Sequence, residues 1–228
     1  MSDRTVVVTG GTRGIGRAIV AAFVDDGAQV IFCGRDAEAV AAIAGDDEQL
    51  TGVRADVRDE FDAERLMETA AKAGGGTIDV VIANAGVNHG TPGEMPLPEE
   101  PYARFDDTMR TNVRGVFATI AEAIPHLSDE GRVLVPSGKI AREPKPNMGT
   151  YAISKAGAEA VARAFSTDID QPVAVVDPGL VATDLTGVDS ARSPEDVAPM
   201  FLWAATDADP ATIDGEVVDL RTWKKATR

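Results

Sequence analysis

The chain is short of cysteine, histidine, lysine and long apolar runs. Cys33 is the only cysteine among 228 residues, so no internal disulfide can form and a reducing cytoplasm is the expected setting. The two histidines, His89 and His126, have no cysteines near them and suggest no zinc site. No apolar stretch approaches the roughly 18 residues that a membrane span needs. The opening "MSDRTVVVTGG" enters a strand pattern at once, which leaves no room for a signal peptide. Lysine and arginine total 22 against 37 acidic residues, a net charge of -15. That balance argues against a nucleic-acid surface. Acidic pairs at 25–26, 46–47 and 106–107 spread the charge along the chain. A salt-rich cytoplasm would screen the resulting self-repulsion. An ordinary acidic protein is the plainer alternative.

What is present is a steady alternation of two periodicities. "RTVVVTG", "AQVIFCG", "LTGVRADV", "IDVVIANAG", "GRVLVPSG", "PVAVVDPG" and "GEVVDL" read as strands. Between them, residues 14–26, the stretch "DAEAVAAIAG", 59–73, 102–127, a segment running to about 168, and 194–206 repeat their apolar residues at helical spacing. Strands alternating with helices predict a doubly wound α/β fold of the Rossmann type, a parallel sheet with helices on both faces. With 44% hydrophobic residues, no linker and no repeat, one domain is expected.

The segment "VVVTGGTRGIGRAI" crosses from the first strand to the first helix. Glycines at 10, 14 and 16 let the backbone turn tightly and approach a ligand, and the free N–H groups of the helix start favour a pyrophosphate. Together with "ADV" at 55–57, "NAG" at 84–86, Asn112, Ser137, "YAISK" at 151–155 and "DPGLVAT" at 177–183, it gives an ordered set of motifs over nearly the whole length. In these motifs the chain resembles the short-chain dehydrogenase/reductase family, in its compact single-domain branch.

The resemblance implies a nicotinamide cofactor and a small alcohol or carbonyl substrate. It places Gly10, Thr12, Arg13, Gly14, Ile15 and Gly16 against the cofactor, Asp56 and Val57 at the adenine, and Asn84, Ala85 and Gly86 along the adenosine ribose. Pro178, Gly179, Val181 and Thr183 are expected near the nicotinamide end. Tyr151 and Lys155, one helical turn apart, can face one cleft. By this resemblance Tyr151 moves the proton, Lys155 lowers its pKa and grips the ribose, and Asn112 holds a water that links Lys155 to solvent. The family also implies a homodimer or homotetramer. The rivals are a non-catalytic regulatory or scaffold protein that keeps the cofactor, and a longer-fold epimerase or dehydratase for which the chain is too short.

Some points stay open in the sequence. The second strand ends at Gly34 and Arg35 with no carboxylate, which together with Arg13 favours NADPH over NADH; Asp36 is the reservation. The segment between Thr183 and residue 193 is short, leaving an open pocket unless the tail with Trp223 folds back over it. The proline-rich stretch 89–102 is long enough to be a pocket rim. The family serine that polarises the substrate oxygen falls, counting back from Tyr151, on Gly138. Either the loop bearing Pro144 and Pro146 has gained a residue or the serine is lost; the irregular loop favours the insertion, so Ser137 is expected to be the catalytic serine that polarises the carbonyl.

Overall fold

Seven strands form one parallel sheet in the order β3-β2-β1-β4-β5-β6-β7. In chain order they are β1 Thr5–Thr9, β2 Gln29–Gly34, β3 Leu50–Arg54, β4 Ile78–Ile82, β5 Leu127–Pro136, β6 Val173–Asp177 and β7 Val217–Asp219. The computed structural model describes residues 1, 4–143 and 145–228; Pro144 lies outside them. The strand order reverses between β1 and β4, so the loops at their carboxyl ends part and leave a crevice.

The β-branched runs form strands because both faces of the sheet are covered. Val6, Val8, Val30, Phe32, Val80 and Ile82 point to one side, where Ile19 and Phe23 of α1 (Gly14–Asp25) meet Met200 and Phe201 of α7 (Pro194–Thr206). The alternate residues Val7, Ile31, Val81, Val133 and Val135 point to the other. There they meet Leu66 and Met67 of α3 (Glu60–Ala73), Ile120 of α5 (Gly115–Ala123), and Ala158 and Ala162 of α6 (Gly149–Asp168). Each fully buried large side chain contributes about 1.5–3 kcal/mol. The remaining helices are α2 (Ala37–Ala44), α4 (Tyr102–Met109), α8 (Pro210–Ile213) and α9 (Leu220–Ala226).

Two predicted spans differ from the structure. The helical stretch 102–127 is α4, a π turn over Arg110–Arg114, α5 and a 3-10 turn that ends at His126. Strand β5 begins at Leu127, four residues before the predicted start, because Leu127 already pairs with Ile78 of β4, ahead of a register shift before Val80 meets Arg132. The polar tail, read without an element, forms α9, capped by Asp219, whose carboxylate accepts from the Thr222 N–H.

Candidate active site

The glycine turn is held from behind. The Asn84 side-chain amide donates to the carbonyls of Thr9 (2.9 Å) and Gly10 (3.2 Å), and the Ala85 N–H donates to the Thr9 hydroxyl. A Cβ on Gly16 would stand 2.2 Å from the Gly10 carbonyl oxygen, so only glycine lets the turn close. Asn84 therefore shapes the loop through its side chain, beyond the ribose contact expected of it. Helix α1 starts after Arg13 with no side-chain cap and no acidic residue in its first turn. Its open N–H groups face a cleft of about 1020 Å³ whose walls include Gly10, Thr12, Arg13, Gly14, Ile15 and Gly16. Uncapped amides, backbone approach and two arginines form a donor set that suits a dinucleotide's phosphates.

The far end of the cleft is lined by Arg35, Asp56 and Val57. A Cβ on Gly34 would collide with Thr12 at 2.5 Å, which excludes a carboxylate there. Asp36 turns away: its carboxylate accepts from the N–H groups of Glu38 and Ala39 and caps α2. Asp56 is gripped by the Arg58 guanidinium, which holds its carboxyl below the usual carboxylate range. Arg58 continues to Asp107 at 2.5 Å, and Asp107 to His89 at 2.6 Å. Cys33, beneath this end, is buried and its thiol is pushed up to about 12 by desolvation.

Tyr151 and Lys155 lie on one face of α6 and both line the cleft, with the ammonium 5.9 Å from the centre of the phenol ring. Burial pushes the Tyr151 phenol up and the Lys155 ammonium down to about 8, the Glu159 carboxylate opposing the second shift. Lys155 donates to the Pro136 carbonyl at 3.0 Å. Asn112 sits in the π turn and exchanges two hydrogen bonds with the Val87 backbone, while its amide also donates to Ser154 at 2.9 Å. Both hydrogens of that side-chain amide are committed to the protein, and its oxygen accepts from the Val87 N–H.

Ser137 departs from expectation. It lies at the cleft wall, but its hydroxyl donates to Glu159 Oε1 at 2.8 Å, so the proton that would polarise a substrate oxygen is engaged. Gly138, which follows it, faces open space: an added Cβ there meets nothing within 4 Å. Asn84, Ala85, Gly86, Pro178, Gly179, Val181 and Thr183 all border the same cleft. The flap beyond Thr183 is a tight turn, tied by the Thr186 hydroxyl to the Val181 carbonyl at 2.6 Å. The tail does not close the cleft; Leu220 and Trp223 pack against the α1–α7 core. The rim is anchored instead, since Met95 bridges to Met148 and the Gly149 N–H donates to the Met95 carbonyl.

An uncapped helix start, a pinned glycine turn and a tyrosine–lysine pair in one crevice define a nucleotide-dependent oxidoreductase of the α/β class. The pattern of the family described as short chain dehydrogenase matches residues 4–193. The chain is 35% identical to the L-fucose dehydrogenase of Rattus norvegicus, over 81% of this chain and 68% of that one. It is 30% identical to the cyclic-di-GMP-binding biofilm dispersal mediator protein of Escherichia coli K12, over 90% of each. A short chain dehydrogenase of Burkholderia cenocepacia, solved with NADP, superposes with a TM-score of 0.82 at 26% identity, over 96% of each chain. The chain belongs to the short-chain dehydrogenase/reductase family, oxidoreductases that use a nicotinamide cofactor on alcohols and carbonyls. Among the described residues no helix is long and apolar enough to cross a membrane, and no cluster could hold a metal.

Several residues around the site escaped the sequence reading. Arg58 and Arg142 also reach Asp107 and Asp177, 49 and 35 residues away, which no local pattern reveals. Glu159 did leave a signal: it extends the four-residue stripe of Tyr151 and Lys155 by one more turn.

Proposed function

We propose that the protein is an NADPH-dependent carbonyl reductase or alcohol dehydrogenase that works through Tyr151 and Lys155. The observation that carries this is the placement of both side chains in the cleft that also holds the open start of α1 and the two arginines. When bound, the nicotinamide supplies or accepts the hydride. In reduction, Tyr151 donates its proton to the substrate oxygen, and burial keeps the phenol protonated for that task. Lys155 stabilises the phenolate left behind and orients the ribose side of the site. Asn112 braces the helix beside Val87 and Ser154. Arg13 and Arg35, with Asp36 turned away, support a 2′-phosphate as the preferred group.

A cofactor-bound regulatory role is the second reading, favoured by the name of the Escherichia coli relative. The retention of both Tyr151 and Lys155 supports the catalytic one. Phe117, 53% exposed and tilted against the Phe165 ring with centroids 5.4 Å apart, supports assembly through α5 and α6 into a homodimer or homotetramer. A buried free Cys33 suits a reducing cytoplasm. The test is turnover of NADPH with a panel of aldehydes, ketones and 3-oxoacyl compounds, at low and molar salt. Activity that vanishes in Tyr151→Phe is expected; NADPH binding with no turnover across the panel would favour the regulatory reading.

A further inference from the structure

Behind the reacting pair lies a set of charges that the reaction as described does not use. Tyr151, Lys155, Glu159 and Arg163 follow one another at four-residue spacing on α6. Glu159 is 1% exposed, a rare burial for a carboxylate. Its Oε1 accepts from Ser137 at 2.8 Å and lies 3.4 Å from Arg142 Nε, while Oε2 lies 3.6 Å from Arg163. Arg142 also pairs with the buried Asp177, whose carboxylate accepts from the Gly179 N–H at 3.0 Å. One guanidinium thus joins the catalytic helix to the end of β6 and to the loop expected at the nicotinamide.

We propose that Glu159 is a positioning residue for the Tyr151–Lys155 pair: held by Ser137 and Arg142 one helical turn beyond the lysine, its charge keeps the ammonium charged and seated on the Pro136 carbonyl. This rests on the oxidoreductase reading and adds to it a reason why Ser137 is turned inward. An ammonium beside a phenol in a desolvated cleft loses stability as a cation, and a nearby buried carboxylate restores it. The groups acting on Lys155 are Tyr151, with its ring centre 5.9 Å from the ammonium, and the Glu159 charge on the same helix; behind Glu159 stand Arg142, after β5, and Asp177 at the end of β6. Arg142 and Arg163 in turn satisfy Glu159, so that it can be buried at all.

The chain has six lysines, so ¹³Cε-lysine NMR can follow Lys155 alone, assigned with Lys155→Ala. The cofactor-free protein suffices, which separates this test from that of the proposed activity. Glu159→Gln keeps the shape and the acceptor for Ser137 but removes the charge. The Lys155 titration midpoint is expected to fall by about one pH unit or more. A loosened, wetter cleft would move it the opposite way, toward an ordinary lysine, so a rise or no change overturns the proposal. Arg142→Gln provides a second arm should the first variant not fold. Removing that cation leaves Glu159 less neutralised, so the midpoint is expected to rise; a fall or no change overturns it. In turnover, Glu159→Gln is expected to shift the alkaline limb of kcat to lower pH, with KM for substrate little altered.

Discussion

Arg35 and Asp36 are neighbours with opposite assignments: the arginine borders the cleft while the aspartate turns back to cap α2 through two N–H groups. A carboxylate spent on a helix start is no longer available to a ribose 2′-hydroxyl. Replacing Arg35 with alanine should therefore weaken NADPH binding by about tenfold or more, the worth of a charge-assisted contact, and leave NADH nearly unchanged. Fluorescence titration with both nucleotides checks this. An equal loss for both would remove Arg35 from the 2′-phosphate site.

The pair Ser137 and Gly138 yields a double test. Loss of a donor aimed at developing charge costs about 10²–10³ in rate. With its hydroxyl donating to Glu159, Ser137 is not such a donor, so Ser137→Ala is expected to lower kcat by clearly less than that. Gly138→Ser adds a hydroxyl into open space on an extended backbone and is expected to raise kcat. Steady-state kinetics on both variants decides between the two positions.

Lys155 leaves a mark on stability as well as on turnover. Its native pKa of about 8 is below that of a free lysine, so at neutral pH the fold carries the cost of a buried charge. Between pH 8 and the pKa of the unfolded lysine, the native state sheds its proton first, and wild-type stability gains relative to a variant without the group. Lys155→Met should thus melt higher than wild type at pH 7, and the gap should narrow as pH rises past 8. Thermal melts across that range give the answer; a gap that widens with pH contradicts it.

The tail is structural. Trp223 and Leu220 pack against the α1–α7 core, and neither lines the cleft. Deleting residues 223–228 should lower Tm by several degrees, as expected from losing a packed aromatic side chain, and leave the substrate KM unchanged.

The acid excess has its own consequence. With a net charge of -15, self-repulsion destabilises the compact state in dilute buffer. Adding KCl to molar levels is expected to raise Tm, and a fall over the same range would count against adaptation to salt.

Much of the fold was legible because strands buried on both faces appear as unbroken β-branched runs, as in "TVVVT" and "VAVVD". The glycine turn and the Tyr151–Lys155 spacing were legible for a similar reason: the geometry of a single turn of chain dictates them. What stayed hidden depends on distance. The π turn around Asn112 changes the backbone without breaking the apolar pattern of 102–127. The direction of the Ser137 hydroxyl is set by Glu159, 22 residues away, and becomes visible only when α6 packs beside β5.

The bridge between Met95 and Met148 couples two things usually counted separately. The Asn147 backbone, at φ 60°, accepts from both Gly93 and Met95 immediately ahead of the helix that carries Tyr151. A guest that pushed the rim outward would therefore be expected to pull on the start of that helix and so on the phenol. Discrimination among substrates would then surface as slower chemistry on a poorly shaped guest, while its grip on the cleft changes little.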